Sequence, residues 1–138
     1  MAQKSWRSNQ SSDEYFLKAK KLGFRSRSVF KLKEINKKYK IITKEARILD
    51  LGSSPGGWSE YIANNHRVKT ITANDIQPME SIDNVKFIPG DFTKDEIQRE
   101  IIASNNNHKF NLILSDISTK KTGNKTVSYT HLTLPTNR

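Results

Sequence analysis

The sequence predicts an α/β fold, a doubly wound and mostly parallel sheet flanked by helices, and three observations carry that reading. Residues 46–58 run Ala-Arg-Ile-Leu-Asp-Leu-Gly-Ser-Ser-Pro-Gly-Gly-Trp, a short apolar strand, a glycine-rich turn and the start of a helix. Downstream, apolar runs of strand length alternate with segments of helical period, which is the rhythm of parallel strands joined by right-handed crossovers. Finally, each strand end delivers an acid: Asp50, Asp75, Asp91 and Asp116. In such a sheet the ligand lies outside the C-terminal strand ends.

The elements follow in order. Residues 1–12 are polar and expected to fray. Residues 13–22 read as a helix with Tyr15, Phe16 and Ala19 on one side, closed by Gly23. Arg25-Ser26-Arg27-Ser28 leads into a second helix, 29–40, whose apolar side is Phe30, Leu32 and Ile35. Strands are expected at 47–50, 70–74, 85–88 and 110–114, and helices at 57–64 and 93–104. The last helix has Thr93 near its start, Asp95 and Glu96 in its first turn, and Ile97, Ile101 and Ile102 facing the sheet.

Charge divides the chain. The net charge is +10 over 138 residues. Residues 1–49 carry 14 basic and 4 acidic side chains, whereas residues 50–138 carry 10 of each. A solubilising arm is one explanation. A phosphate-binding surface is the favoured one, because Phe16, Phe24 and Phe30 are interleaved with the cations and allow the segment to fold and stack. No apolar run is long enough for a membrane span, and no basic-then-apolar leader is present. With no cysteine and with His66, His108 and His131 isolated, no metal site is expected.

The glycine turn is neither a dinucleotide fingerprint, since Ser54 stands where its second glycine belongs, nor a P-loop, since no Lys-Ser or Lys-Thr pair follows. Asp75 lies 23 residues after Gly52, where an acid can hold a ribose diol. Four strand-end acids would repel a phosphate-rich cofactor. They suit a ligand with ribose hydroxyls, an adenine amine and positive charge, a description that S-adenosylmethionine fits.

Several stretches closely resemble the FtsJ/RrmJ family: Arg25-Ser26-Arg27-Ser28-Val29-Phe30-Lys31-Leu32, Asp50-Leu51-Gly52-Ser53-Ser54-Pro55-Gly56-Gly57-Trp58-Ser59, Asp75-Ile76-Gln77-Pro78-Met79, Gly90-Asp91-Phe92 and Ser115-Asp116. The resemblance runs from about residue 15 to 125. It implies a Rossmann-like S-adenosylmethionine-dependent methyltransferase fold, incomplete at the C-terminus. The implied activity is methylation of a ribose 2′-hydroxyl, at a uridine, in large-subunit ribosomal RNA. It also implies a monomer working in the cytoplasm with ribosomal RNA or the large ribosomal subunit as partner. Gly56 and Trp58 are implied in the cofactor turn, Asp75 at the cofactor ribose, Asp91 at the adenine amine, and Asp116 at the cofactor as well as in catalysis. Lys31 matches the first lysine of the family's Lys-Asp-Lys-Glu catalytic set, and Asp116 its aspartate. Competing structural roles stand beside these. Trp58 also suits a core anchor, Asp91 a helix cap, and Lys31 a solvated or phosphate-contacting lysine.

The resemblance places the second lysine and the glutamate beyond this chain. Lys120, Lys121 and Lys125 do not match them, and Ile117-Ser118-Thr119-Lys120 departs from the family's usual loop. The chain is therefore expected to retain most cofactor contacts, to be inactive or weakly active, and to leave the fourth strand or its neighbours as open edges. Residues 13–126 are read as the N-terminal part of one methyltransferase domain, with 13–45 as a basic RNA-facing segment. Residues 127–138 have no acid and no helical period and resemble translated cloning-adaptor sequence. Two other classes stay open: a non-catalytic RNA-binding or ribosome-assembly module with a vestigial nucleotide fold, and a methyltransferase acting on another RNA or a protein. A nicotinamide oxidoreductase is disfavoured by Ser54.

Overall fold

The computed structural model describes residues 14–117 and the backbone of Tyr129–Thr130. The expected frayed arm 1–12, Lys120, Lys121, Lys125 and His131 lie outside the described residues.

The chain forms helix α1 (14–22), α2 (Val29–Tyr39), strand β1 (Arg47–Leu51), α3 (Gly57–Asn65), β2 (Thr70–Asp75), β3 (Lys86–Pro89), α4 (Asp95–Ser104), β4 (Leu112–Ser115) and β5 (Tyr129–Thr130). The sheet order is β3-β2-β1-β4-β5. The first four strands are parallel, with Ile48 opposite both Ile71 and Leu112. Chain order reverses direction at β1, so the crevice expected of a doubly wound sheet opens at its C-terminal end.

Alternation along the strands builds two cores. Ile48, Leu112 and Leu114 point to one face and pack with Val29, Leu32, Trp58 and Ile62 from α2 and α3. Leu49 and Ile113 point to the other and pack with Ile101 of α4 and with Phe110. Val29 and Leu32, three residues apart, fix the rotation of α2. The second face also carries a polar hub. Buried Asn105 accepts from Arg47 Nη1 (3.2 Å) and Thr70 Oγ1 (2.7 Å) and donates to the His108 carbonyl (3.0 Å).

All four expected strands and the helices are present, several ends differ by one residue, and three starts are displaced. β3 starts at Lys86 because Val85 is still in a turn, its N–H donated to the Ile82 carbonyl (3.1 Å) after Asn84 at φ 69°. α4 starts at Asp95, two residues later than expected, because Asp91 closes a turn first, its carbonyl accepting from Lys94 N–H (3.0 Å). β4 starts at Leu112. Phe110 is buried ahead of the ladder, while Asn111 Oδ1 accepts from Arg47 N–H (2.8 Å). Nor is the outer edge of β4 open, as the sequence led us to expect. Ile113 and Leu114 pair antiparallel with Thr130 and Tyr129.

Candidate active site

The turn that follows β1 is held in shape by backbone and carboxylate hydrogen bonds. Gly52 and Ser53 N–H groups both donate to the Asn74 carbonyl (2.8 and 3.0 Å). Asp75, at the tip of β2, accepts from Ser54 N–H at Oδ2 (2.9 Å) and from Gln77 N–H at Oδ1 (3.0 Å). Gly56 follows at φ 107°, where a Cβ would lie 3.0 Å from Met79 Sδ and 3.2 Å from Arg25 Nη1. Only glycine suits that backbone and that closeness.

Arg25 binds three segments together. Its Nε donates to Glu60 Oε2 (3.1 Å), Nη1 to the carbonyls of Pro55 (3.0 Å) and Glu80 (2.9 Å), and Nη2 to the carbonyl of Ser81 (3.2 Å). A rigid guanidinium fork can satisfy this many acceptors at once; a lysine cannot. The loop after β2 is thereby folded back over the glycine turn.

Beside this turn, at the C-terminal ends of β1 and β4, lies a cavity of about 700 Å³. α2 forms one wall and supplies Phe30 and Lys31, with Ser28 just ahead of it; the opposite side is Asp50, Trp58 and Asp116. Lys31 Nζ donates to Asp116 Oδ1 at 3.2 Å, both side chains being about one third exposed. Trp58 is buried in the first core, and its Nε1 donates to the Ser28 carbonyl (2.8 Å). It therefore anchors the α2 entry and also contributes to the cavity wall.

Asp50 is almost fully buried and accepts from Ser59 Oγ at 2.8 Å. Burial raises its carboxyl to about 7, against the Ser59 hydrogen bond and with help from Asp116 and Asp75. In the sequence Asp50 stood among the strand-end acids without a role of its own. The available signal was a charge inside a strand read as buried on both faces. Arg25 was likewise visible only as part of a motif.

The six residues expected at the site fall into three sets. Lys31, Trp58 and Asp116 line the cavity. Gly56 lies under Met79 and Arg25, with its neighbour Gly57 at the cavity wall. Asp75 and Asp91 stand farther along the same sheet edge, at the ends of β2 and β3, outside the cavity lining. Asp91 behaves as a turn residue. Its Oδ1 accepts from both Thr93 Oγ1 (2.7 Å) and Thr93 N–H (2.9 Å), which holds its carboxyl below the usual range. No metal-binding cluster of His, Cys, Asp or Glu occurs among the described residues, and no described helix is long and apolar enough to cross a membrane.

Comparison with known proteins decides the family. A model of FtsJ-like methyltransferases matches residues 24–133. The chain belongs to the FtsJ-like methyltransferase family. Its curated relatives include proteins named ribosomal RNA large subunit methyltransferase E. One from Francisella tularensis subsp. holarctica is 41% identical over 127 residues, covering 89% of this chain and 60% of the relative. One from Anaplasma phagocytophilum is 39% identical over 134 residues, covering 93% and 53%. A crystal structure of a ribosomal RNA methyltransferase from Plasmodium falciparum superposes with a TM-score of 0.64 at 34% identity, covering 73% of this chain and 60% of that one. The chain thus spans a little over half the length of the curated relatives it matches. The fold is the Rossmann-like α/β fold of this FtsJ-like family, and the matched region reaches into the segment read from sequence as adaptor-like.

Proposed function

We propose that the protein to which this chain belongs methylates a ribose 2′-hydroxyl of large-subunit ribosomal RNA, at a uridine, using S-adenosylmethionine. The observation that carries this is the Lys31–Asp116 pair in a cavity beside a glycine turn, at the strand ends where this kind of sheet binds ligands.

The residues of the sheet edge fit that cofactor. Asp75 accepts one hydrogen bond at each oxygen, and each oxygen has a second lone pair for a ribose hydroxyl. Both bonds from Thr93 use Asp91 Oδ1, so Asp91 retains acceptor capacity for an adenine amine. Asp116 provides negative charge for the cationic end, and the Gly56–Gly57 turn with Trp58 encloses the methionine portion. Asp50, raised by burial to about 7, is only partly ionised at neutral pH, so the edge carries less than four full charges. When bound, S-adenosylmethionine supplies an electrophilic methyl on a sulfonium.

Lys31 donates a hydrogen bond to the ribose oxygen and orients it, and Asp116 holds the ammonium in place. Alignment of this kind contributes several kcal/mol. The basic α1–α2 segment holds the RNA phosphates. Loss of the hydroxyl proton needs a base that takes it up, and Lys31, the one lysine lining the cavity among the described residues, is occupied as a donor to Asp116. The second reading is an RNA-binding module of ribosome assembly without catalysis, which the basic α1–α2 segment also suits.

Transfer of labelled methyl from S-adenosylmethionine to deproteinised ribosomal RNA and to immature large subunits tests this. A ribose-methylated uridine made by a full-length relative and lost on Lys31→Ala supports the reading. Cofactor-independent RNA binding by that relative, without transfer, supports the module.

A further inference from the structure

α2 and α3 carry a second groove, of about 470 Å³, on the flank away from the glycine turn. Tyr15, Phe30, Tyr61 and His66 line it, and Phe24, packed against the first core, links their rings into one run. Tyr15 stands 5.5 Å from Phe30, Phe30 5.5 Å from Phe24, Phe24 5.9 Å from Tyr61, and Tyr61 5.8 Å from His66, centroid to centroid. Lys18, Lys33 and Lys37 border it, with Glu34 as its acid. Lys33 Nζ lies within 5.9–6.0 Å of the centroids of Phe24, Phe30 and Tyr61, and Lys18 Nζ lies 5.4 Å from Phe30.

We infer that this groove binds single-stranded RNA next to the methylated nucleotide, an assignment that rests on the RNA reading above. Three observations support it. First, Tyr15, Phe30 and Glu34 line both the groove and the cavity, so a strand whose target ribose enters the cavity crosses this wall directly into the groove. Second, aromatic faces interleaved with cations are what unpaired bases and their phosphates need. A helix solvated for its own sake would not cluster its lysines over rings. Lys33 sits at the outer limit of a cation–π contact and is exposed, so its ammonium can swing to a phosphate as a base takes its place. Third, the groove sets three lysines against one acid, all four within the first 49 residues, which carry the whole net positive charge.

The probe is a fluorescein-labelled oligouridylate about 12 nucleotides long, read by anisotropy across a salt series. Tyr61→Ala is expected to weaken binding about tenfold or more, and Tyr61→Phe to bind like the parent. The double change Lys33→Gln with Lys37→Gln, which leaves the rings in place, should flatten the salt slope by roughly 0.7 for each phosphate no longer neutralised. Ultraviolet cross-linking should attach the oligonucleotide to the peptide containing Tyr61. S-adenosylmethionine binding, titrated in parallel, should not change in any variant. If the parent binds the oligonucleotide and all variants bind equally, the groove assignment is wrong while the RNA reading stands. If the parent binds no RNA at all, both fall. If the variants lose affinity only for vesicles containing anionic phospholipid, the groove is a membrane contact and the inference is overturned.

Discussion

Lys31 Nζ and Asp116 Oδ1 meet at 3.2 Å across 85 residues of sequence, α2 contributing one partner and the end of β4 the other. Neither element could bring the pair together alone. The meeting depends on Val29 and Leu32 seating α2 on the sheet and on β4 lying beside β1. Both side chains are partly exposed, so the ion pair contributes at most about 1 kcal/mol to stability. Lys31→Ala in a full-length relative should therefore leave the melting temperature nearly unchanged and lower kcat by about 100-fold or more. Asp116→Ala should lower kcat and also weaken cofactor binding. Steady-state kinetics with both variants checks the split.

Asp50 makes the fold pH-sensitive in a defined direction. Its carboxyl is raised from 3.8 in the unfolded chain to about 7 when folded. Between those values the folded state holds a proton that the unfolded state has released, so stability falls as pH rises from about 4 to about 7 and levels off above that. Asp50→Asn keeps an oxygen for Ser59 Oγ and removes the titration. Urea unfolding near pH 5 and near pH 8 should show a drop in stability for the parent that is smaller in the variant.

Arg25 should be irreplaceable by lysine. Arg25→Lys keeps the charge towards Glu60 but loses the fork that reaches the carbonyls of Pro55, Glu80 and Ser81. The loop following β2 should then loosen over the glycine turn. Expected outcomes are faster amide exchange across residues 76–82, a stability loss of about 1–3 kcal/mol, and several-fold weaker S-adenosylmethionine binding.

Asn105 tests the polar hub on the far face, away from the chemistry. Asn105→Ala removes three hydrogen bonds from a fully buried site and strands the Thr70 hydroxyl. Denaturant titration should show a loss of about 2–4 kcal/mol.

Much of this was legible in the sequence because period and punctuation are local. Ile48-Leu49 and Ile113-Leu114 read as strands because their neighbours do not matter to that signal, and the glycines marked the turn. Lys31 and Asp116 came from resemblance; the residue pattern alone left Lys31 as one lysine among many on a basic helix. The rest was set by contacts distant in sequence. Asp50 gains its raised carboxyl pKa only once the sheet excludes water from it. Arg25 finds its acceptors 30 to 56 residues away. Asp91 holds Thr93 in a turn ahead of α4 and does not cap the helix, whose first turn begins only after Lys94, so the cap role that its place in the sequence raised is not the one it plays. The short pairing of Tyr129–Thr130 with β4 carried no periodic signal in a two-residue strand.

The most direct test is a crystal of the chain, or of a full-length relative, grown with S-adenosylhomocysteine. The account predicts the nucleoside along the C-terminal sheet edge, its ribose against Asp75, its adenine amine against Asp91 and its amino-acid end beside Gly57 and Asp116, near Lys31. Density for the ligand elsewhere, or Asp75 and Asp91 turned away from it, would contradict the account.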